Sequence, residues 1–109
     1  MQLYEQTRSH LICGHWNGSP VEVGMTGLIE KIPRGEKYHT HPYREYFVVL
    51  EGSGTLLVDG EPHEVAGGTT VMLEPGEPHR WDEIGPEGIR WVLIKERSEP
   101  DSKIVLPEP

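Results

Sequence analysis

Short runs rich in β-branched and aromatic residues recur about every ten positions, each closed by glycine or proline: Glu45 to Leu50, Thr55 to Val58, Pro62 to Val65, Thr69 to Leu73, His79 to Ile84 and Ile89 to Lys95. That rhythm has no 3.6-residue period, so it predicts many short strands joined by tight turns. Two Asx-Gly pairs reinforce it. Asn17-Gly18 separates Leu11 to Trp16 from Val21 to Ile32, and Asp59-Gly60 separates Thr55 to Val58 from Pro62 to Val65, which predicts antiparallel hairpins. Composition agrees: 13 Gly and 10 Pro punctuate 109 residues, and Ala66 is the only alanine, so the best helix former is nearly absent. The expectation is an all-β sandwich or barrel forming one domain over residues 1–109, since this length suits a single domain.

Charge narrows the partners. Ten Lys and Arg against 18 Asp and Glu leave a formal charge of −8, which repels phosphate backbones and anionic membrane surfaces. No nucleic acid and no membrane partner is expected. Apolar runs such as Phe47 to Leu50 and Trp91 to Ile94 are four residues, far short of the roughly 20 that cross a bilayer. Cys13 is the only cysteine, and the first five residues carry neither a basic segment nor an apolar stretch behind it, so a cytoplasmic protein is expected. Asn17-Gly18-Ser19 formally matches a glycosylation acceptor but reads as a turn. From Ser98 to Pro109, prolines flank the apolar patch Ile104-Val105-Leu106, a pattern that suits an edge strand or a loose tail.

The chemistry concentrates in two places. In His39-Thr40-His41 two imidazoles stand two residues apart, and on an extended segment such residues share a face. Glu45 follows after a bend at Pro42-Tyr43 and shares parity with Phe47 and Val49, so its carboxylate opens an inward-facing apolar row. A carboxylate there is costly unless paired or metal-bound. His79 comes 34 residues after Glu45, where the Pro75 to Pro78 turn delivers it to a strand whose next residue on that face is Trp81. Three imidazoles and one carboxylate suit one divalent first-row ion, Fe, Mn, Ni, Co, Cu or Zn, better than Ca or Mg. Four ligands leave two positions of an octahedral ion open to water, dioxygen or substrate. In the bland alternative the histidines only hydrogen-bond one another, and Glu45 then has no cation.

Residues 33–45, Pro-Arg-Gly-Glu-Lys-Tyr-His-Thr-His-Pro-Tyr-Arg-Glu, with Gly52 beyond them, resemble the first motif of the cupin superfamily. Gly68 with Glu74 to His79 resembles the second, and the 15 residues from Ser53 to Gly67 are similar to the short spacing of small bacterial members. The resemblance implies a jelly-roll barrel, a homodimer, and metal ligands at His39, His41, Glu45 and His79. Three positions depart from the pattern: Pro33 replaces the opening glycine, the proline of the second motif is displaced to Pro75, and Glu83 stands where asparagine is common.

Further residues are weighed individually. Glu83 has the parity of His79 and Trp81, which makes it a candidate partner of a ligand or a general acid/base, and Tyr38 is a second catalytic candidate. Tyr38, Tyr43, Glu83, Trp81 and Phe47 are candidates for a pocket mouth, with core filling as the default for the last two. Cys13-Gly14-His15 lacks enough nearby partners to chelate, and His10 and His63 are expected at the surface. No phosphate-cradling glycine loop or nucleophile elbow occurs. The function expected is therefore a metalloenzyme acting on a small oxygenated metabolite, of isomerase, lyase or dioxygenase type. The alternative is a metal-dependent binding or sensor module without turnover, and a purely structural barrel ranks behind both.

Overall fold

The computed structural model describes residues 1–5, 10–100 and 102–109. Its strands are β1 (Leu11–Cys13), β2 (Glu22–Met25), β3 (His39–Thr40), β4 (Glu45–Val58), β5 (Glu61–Ala66), β6 (Thr70–Leu73), β7 (His79–Lys95) and β8 (Ile104–Val105). The only helix among the described residues is a 3-10 turn at His15–Asn17. All described strand pairs are antiparallel. No described helix is long and apolar enough to cross a membrane.

Two long bent strands organise the molecule. β4 and β7 pair from Glu45↔Lys95 at one end to Val58↔His79 at the other, and curl together into one side of an all-β barrel. Runs that read as separate strands are thus continuous: the glycines between them bend the strands without ending them. Between the pairs Gly52↔Ile89 and Gly54↔Ile84, residues 85–88 bulge away from β4, and this is how Pro86 is accommodated inside a strand. At the bend Gly52 has φ 79°, and a Cβ added there would lie 1.9 Å from the Gly88 carbonyl oxygen. The backbones cross there at a distance only glycine permits.

The remaining strands complete the curl. β5 and β6 pair with β4, whereas β2 and β3 pair with β7, and β8 pairs with β3. Asp59 and Gly60 have φ 49° and 80°, as the tight β4–β5 hairpin requires. Asn17-Gly18 behaves differently. Asn17 Oδ1 accepts from the Gly14 amide at 2.9 Å and its Nδ2 donates to the Ile12 carbonyl at 3.1 Å, so the chain makes a 3-10 turn before β2 in place of a two-residue hairpin.

Alternation along β4 turns Glu45, Phe47, Val49 and Leu56 inward. They meet Leu73, Trp81, Ile89 and Trp91 in the core. Trp81 and Trp91 stack at 4.7 Å, and Phe47 meets both edge-on at 5.4 and 5.6 Å. Each such contact contributes about 0.5–1.5 kcal/mol beyond the apolar area it buries. This aromatic trio forms a stiff floor beneath the histidines, with the Phe47 ring 6.4 Å from that of His79.

Candidate metal centre

β3 is two residues long, yet its pairing places the site. His39 lies directly opposite His79 in the β3–β7 register, while Val58↔His79 ties the same residue to the far end of β4. The bend at Pro42 then returns Glu45 to the same region. His39, His41 and His79 are all buried, and their ligating nitrogens lie within 4.8 Å of one another, so this triad could hold a metal ion. Glu45 joins them: Oε1 is 2.8 Å from His79 Nε2 and Oε2 is 3.6 Å from His41 Nε2. The four residues singled out from sequence are brought together.

Hydrogen bonds behind the rings set their tautomers. His39 Nδ1 is 2.6 Å from the Lys37 carbonyl oxygen, and His79 Nδ1 is 3.0 Å from that of Glu77. Each Nδ1–H donates to the residue two positions earlier, which turns Nε2 toward the cluster as the atom free to ligate when the ring is neutral. His79 Nε2 then faces the Glu45 carboxylate at 2.8 Å, and both atoms are buried without an aligned hydrogen bond. Two such atoms this close in a dry site need a shared cation, a proton or a metal ion, between or beside them. The donor set therefore fits a divalent ion.

Electrostatics point the same way. Burial lowers the His39 and His41 pKa values to about 4, so both are neutral near pH 7 and ready to ligate. Burial by itself would raise the Glu45 carboxyl, but neighbouring His79, then His41 and Lys95, more than offset it and hold it below its ordinary value. A prediction follows for the metal-free chain. With the two histidine pKa values depressed, the unfolded state binds more protons between about pH 6.5 and 4, so stability is full above that window and is lost as pH falls through it. Glu36, which burial pushes up, contributes the opposite sign. In a Glu36→Gln background, thermal melts should show the melting temperature dropping steadily from pH 7 to pH 4.5; a flat profile would contradict the burial account.

The triad opens on a cavity of about 830 Å³. Phe47, Trp81, Trp91 and Leu93 contribute to its apolar wall, and besides Glu45 its charged groups are Glu22, Glu36, Lys95, Glu99 and Lys103. Glu22 and Lys95 pair at 3.2 Å, and the cross-strand partners Glu22↔Lys95↔Glu45 form one row over three strands. Glu36, three residues before His39, holds its carboxylate 3.9 Å from His39 Nδ1. Neither Glu36 nor Lys95 stands out in the sequence, because a loop and a strand end carry them into the cavity.

Other candidates lie elsewhere. Glu83 is exposed and borders a separate depression with Ser53, Thr55 and Glu64. The reason is a register shift: Thr55 pairs with Glu83 but Leu56 pairs with Trp81, so Asp82 is an extra residue and the expected parity is broken. Tyr38 is buried and does not line the cavity; its carbonyl accepts the Leu106 amide. Tyr43 is likewise buried, stacked 5.3 Å from the His41 ring, and so is not a residue of the mouth. Phe47 and Trp81 belong to the core and also wall the cavity. Cys13 is a buried free thiol outside the triad. His10 and His63 are both exposed, as expected; His10 and His15 also border the cavity rim.

Comparison with known proteins decides the family. The cupin domain family matches residues 28–95, more than half of the chain, and that stretch contains all four clustered residues. The chain belongs to the cupin family. A dimethylsulfoniopropionate lyase of Ruegeria pomeroyi is 40% identical over 54 residues, covering 50% of this cupin and 35% of that protein. The chain thus spans well under two thirds of that relative. Among solved structures, a cupin protein of Bacteroides fragilis superposes over 100% of this chain and 87% of its own, with a TM-score of 0.64 and 18% identity. A Streptomyces Pac13 variant with uridine superposes over 94% and 84%, with a TM-score of 0.69 and 14% identity. At such identities these two likenesses concern the fold of the cupin alone.

Proposed function

We propose that this cupin is a mononuclear metal-dependent enzyme acting on a small oxygenated metabolite, with His39, His41, Glu45 and His79 holding one divalent first-row ion. The observation that carries this reading is the buried 2.8 Å approach of Glu45 Oε1 to His79 Nε2, beside two further imidazoles and beneath an open cavity. A bound ion would supply Lewis acidity toward a substrate carboxylate or carbonyl oxygen. The chain's own residues do the rest. Phe47, Trp81 and Trp91 exclude water from one wall, and the ion pair of Lys95 with Glu22 offers polar contacts across the cavity.

Glu36 is the cavity carboxyl placed to move a proton, since burial raises its pKa even though Lys103 and His79 draw it down. Of the three reaction types, similarity to a lyase favours elimination: Glu36 takes the proton α to the substrate carboxylate, the C–H electron pair becomes the new double bond, and the β substituent leaves with its bonding pair. The test is a panel of β-substituted propionates, dimethylsulfoniopropionate included, with sugars and diketones beside them, against untagged protein loaded with Fe(II), Mn(II), Ni(II), Co(II) or Zn(II). Metal-dependent product formation is expected. Ligand-induced stabilisation with no turnover anywhere would favour the binding module.

Glu36→Gln should lower kcat by roughly 10²-fold or more, the scale of general acid–base catalysis, while zinc stoichiometry stays as in the wild type. Unchanged kcat would remove Glu36 from the mechanism.

A further inference from the structure

The three histidines are not held alike. His39 and His79 donate through Nδ1 to carbonyls two residues earlier, so each carries its own brace on its own segment. His41 has no such brace. Its Nδ1 is 3.3 Å from Ser102 Oγ, 61 positions onward, and 3.4 Å from Tyr43 Oη, while Tyr43 Oη and Ser102 Oγ are 2.5 Å apart. Ser102 Oγ can accept from both the His41 ring and the Tyr43 hydroxyl, and it is the atom the two share.

Several bonds hold Ser102 there. β8, two residues on, pairs with the ligand-bearing β3 through Thr40↔Ile104 and His39↔Val105. The Leu106 amide donates to the Tyr38 carbonyl at 2.9 Å, and Glu108 pairs with Arg80 at 3.0 Å. Upstream, Ser98 Oγ accepts from the His15 amide at 2.7 Å and bonds Glu22 at 3.0 Å. Ser102 and Lys103 also border the metal-side cavity. This whole segment lies beyond residues 28–95, the part shared with the cupin family.

The geometry points to Ser102 as a positioning residue: from the C-terminal segment it fixes the tautomer and ring direction of His41, so that a metal site built from residues 39–79 is completed by a strap outside the family domain. This rests on the metal reading of the site. Without Ser102 only the 3.4 Å contact with Tyr43 Oη remains, so His41 would sample both tautomers, and the one protonated on Nε2 cannot ligate through that atom.

The test uses the full chain, stripped of metal and titrated with zinc alone against a chromophoric chelator, in wild type, Ser102→Ala and Ser102→Thr. Ser102→Ala should weaken zinc binding at least about tenfold, the low end for groups behind a ligand, and Ser102→Thr should restore it. A second readout needs no metal. Long-range ¹⁵N–¹H spectra of the imidazoles should show His41 protonated on Nδ1 in wild type and shifted toward a tautomer mixture in Ser102→Ala, with His39 and His79 unchanged as internal controls. Wild-type zinc affinity and an unchanged His41 tautomer in Ser102→Ala would overturn the role of Ser102. Failure of the wild-type chain itself to take up zinc would instead overturn the metal reading, and the positioning role with it.

Discussion

His79→Ala is expected to reduce zinc affinity at least about 100-fold, beyond the 10–100-fold typical of groups that merely support a ligand, and to bring any metal-dependent turnover to background. The expectation follows from connectivity. His79 is the contributor from β7, it lies across the ladder from His39, and its Nε2 makes the closest approach to Glu45 in the cluster. Removing it leaves two imidazoles and a carboxylate from one stretch of chain. The metal-free fold should also weaken, by about 1–3 kcal/mol, because Glu45 stays buried with one neighbour fewer. His79→Gln preserves more of the volume and separates the effects: affinity should fall as in His79→Ala while the melting temperature stays nearer wild type. Metal analysis showing one ion per chain in His79→Ala, with turnover intact, would refute the four-residue site.

The largest effect on folding is expected from Gly52→Ala. Its φ of 79° alone costs an alanine about 1–2 kcal/mol, and the added methyl would lie 1.9 Å from the Gly88 carbonyl, an atom that moves only if the β4–β7 crossing opens. A total of about 3 kcal/mol or more lowers the melting temperature by roughly 12 °C or more, at about 4–8 °C per kcal/mol in a domain of this size. Gly60→Ala is the matched control. Gly60 has nearly the same φ, 80°, but open space around the missing Cβ, so only the conformational cost of about 1–2 kcal/mol applies. Equal melting temperatures for the two variants would show that the backbones do not approach so closely at Gly52.

The contrast between these glycines explains how much of the fold was legible. Asp59-Gly60 announces its hairpin because the turn is a local event, satisfied by two residues with positive φ. Gly52 and Gly88 look identical in sequence to strand terminators, yet they bend two continuous strands, a choice made by tertiary crossing. The site divides along the same line. His39, His41 and Glu45 were readable because strand alternation places them, and His79 because a turn delivers it. Glu83 was misplaced since Asp82 is inserted opposite β4 and reverses the parity just after it, until the bulge at residues 85–88 turns Ile89 and Trp91 back into the core. Glu36 and Ser102 carried no periodic mark at all; a loop and a distant strand bring them to the histidines. What escapes a linear reading is the part of the site assembled by contacts between segments.

The irregular ladder between β4 and β7 also bears on how the chain can change length. Its register shifts, between Val49 and Glu51, Gly52 and Gly54, and Thr55 and Leu56, decide which side chains look into the barrel. A single inserted or deleted residue within 45–58 or 79–95 would turn Glu45 or Lys95 outward and leave the opposing tryptophan without a partner. The hairpin tip at Asp59-Gly60 lies past the last paired residues of β4, and beyond the bond from the Asp59 amide to the Pro78 carbonyl it sets no register. Lineage variation in length should therefore accumulate at that tip, and the two long strands should keep a constant residue count even where their sequences diverge.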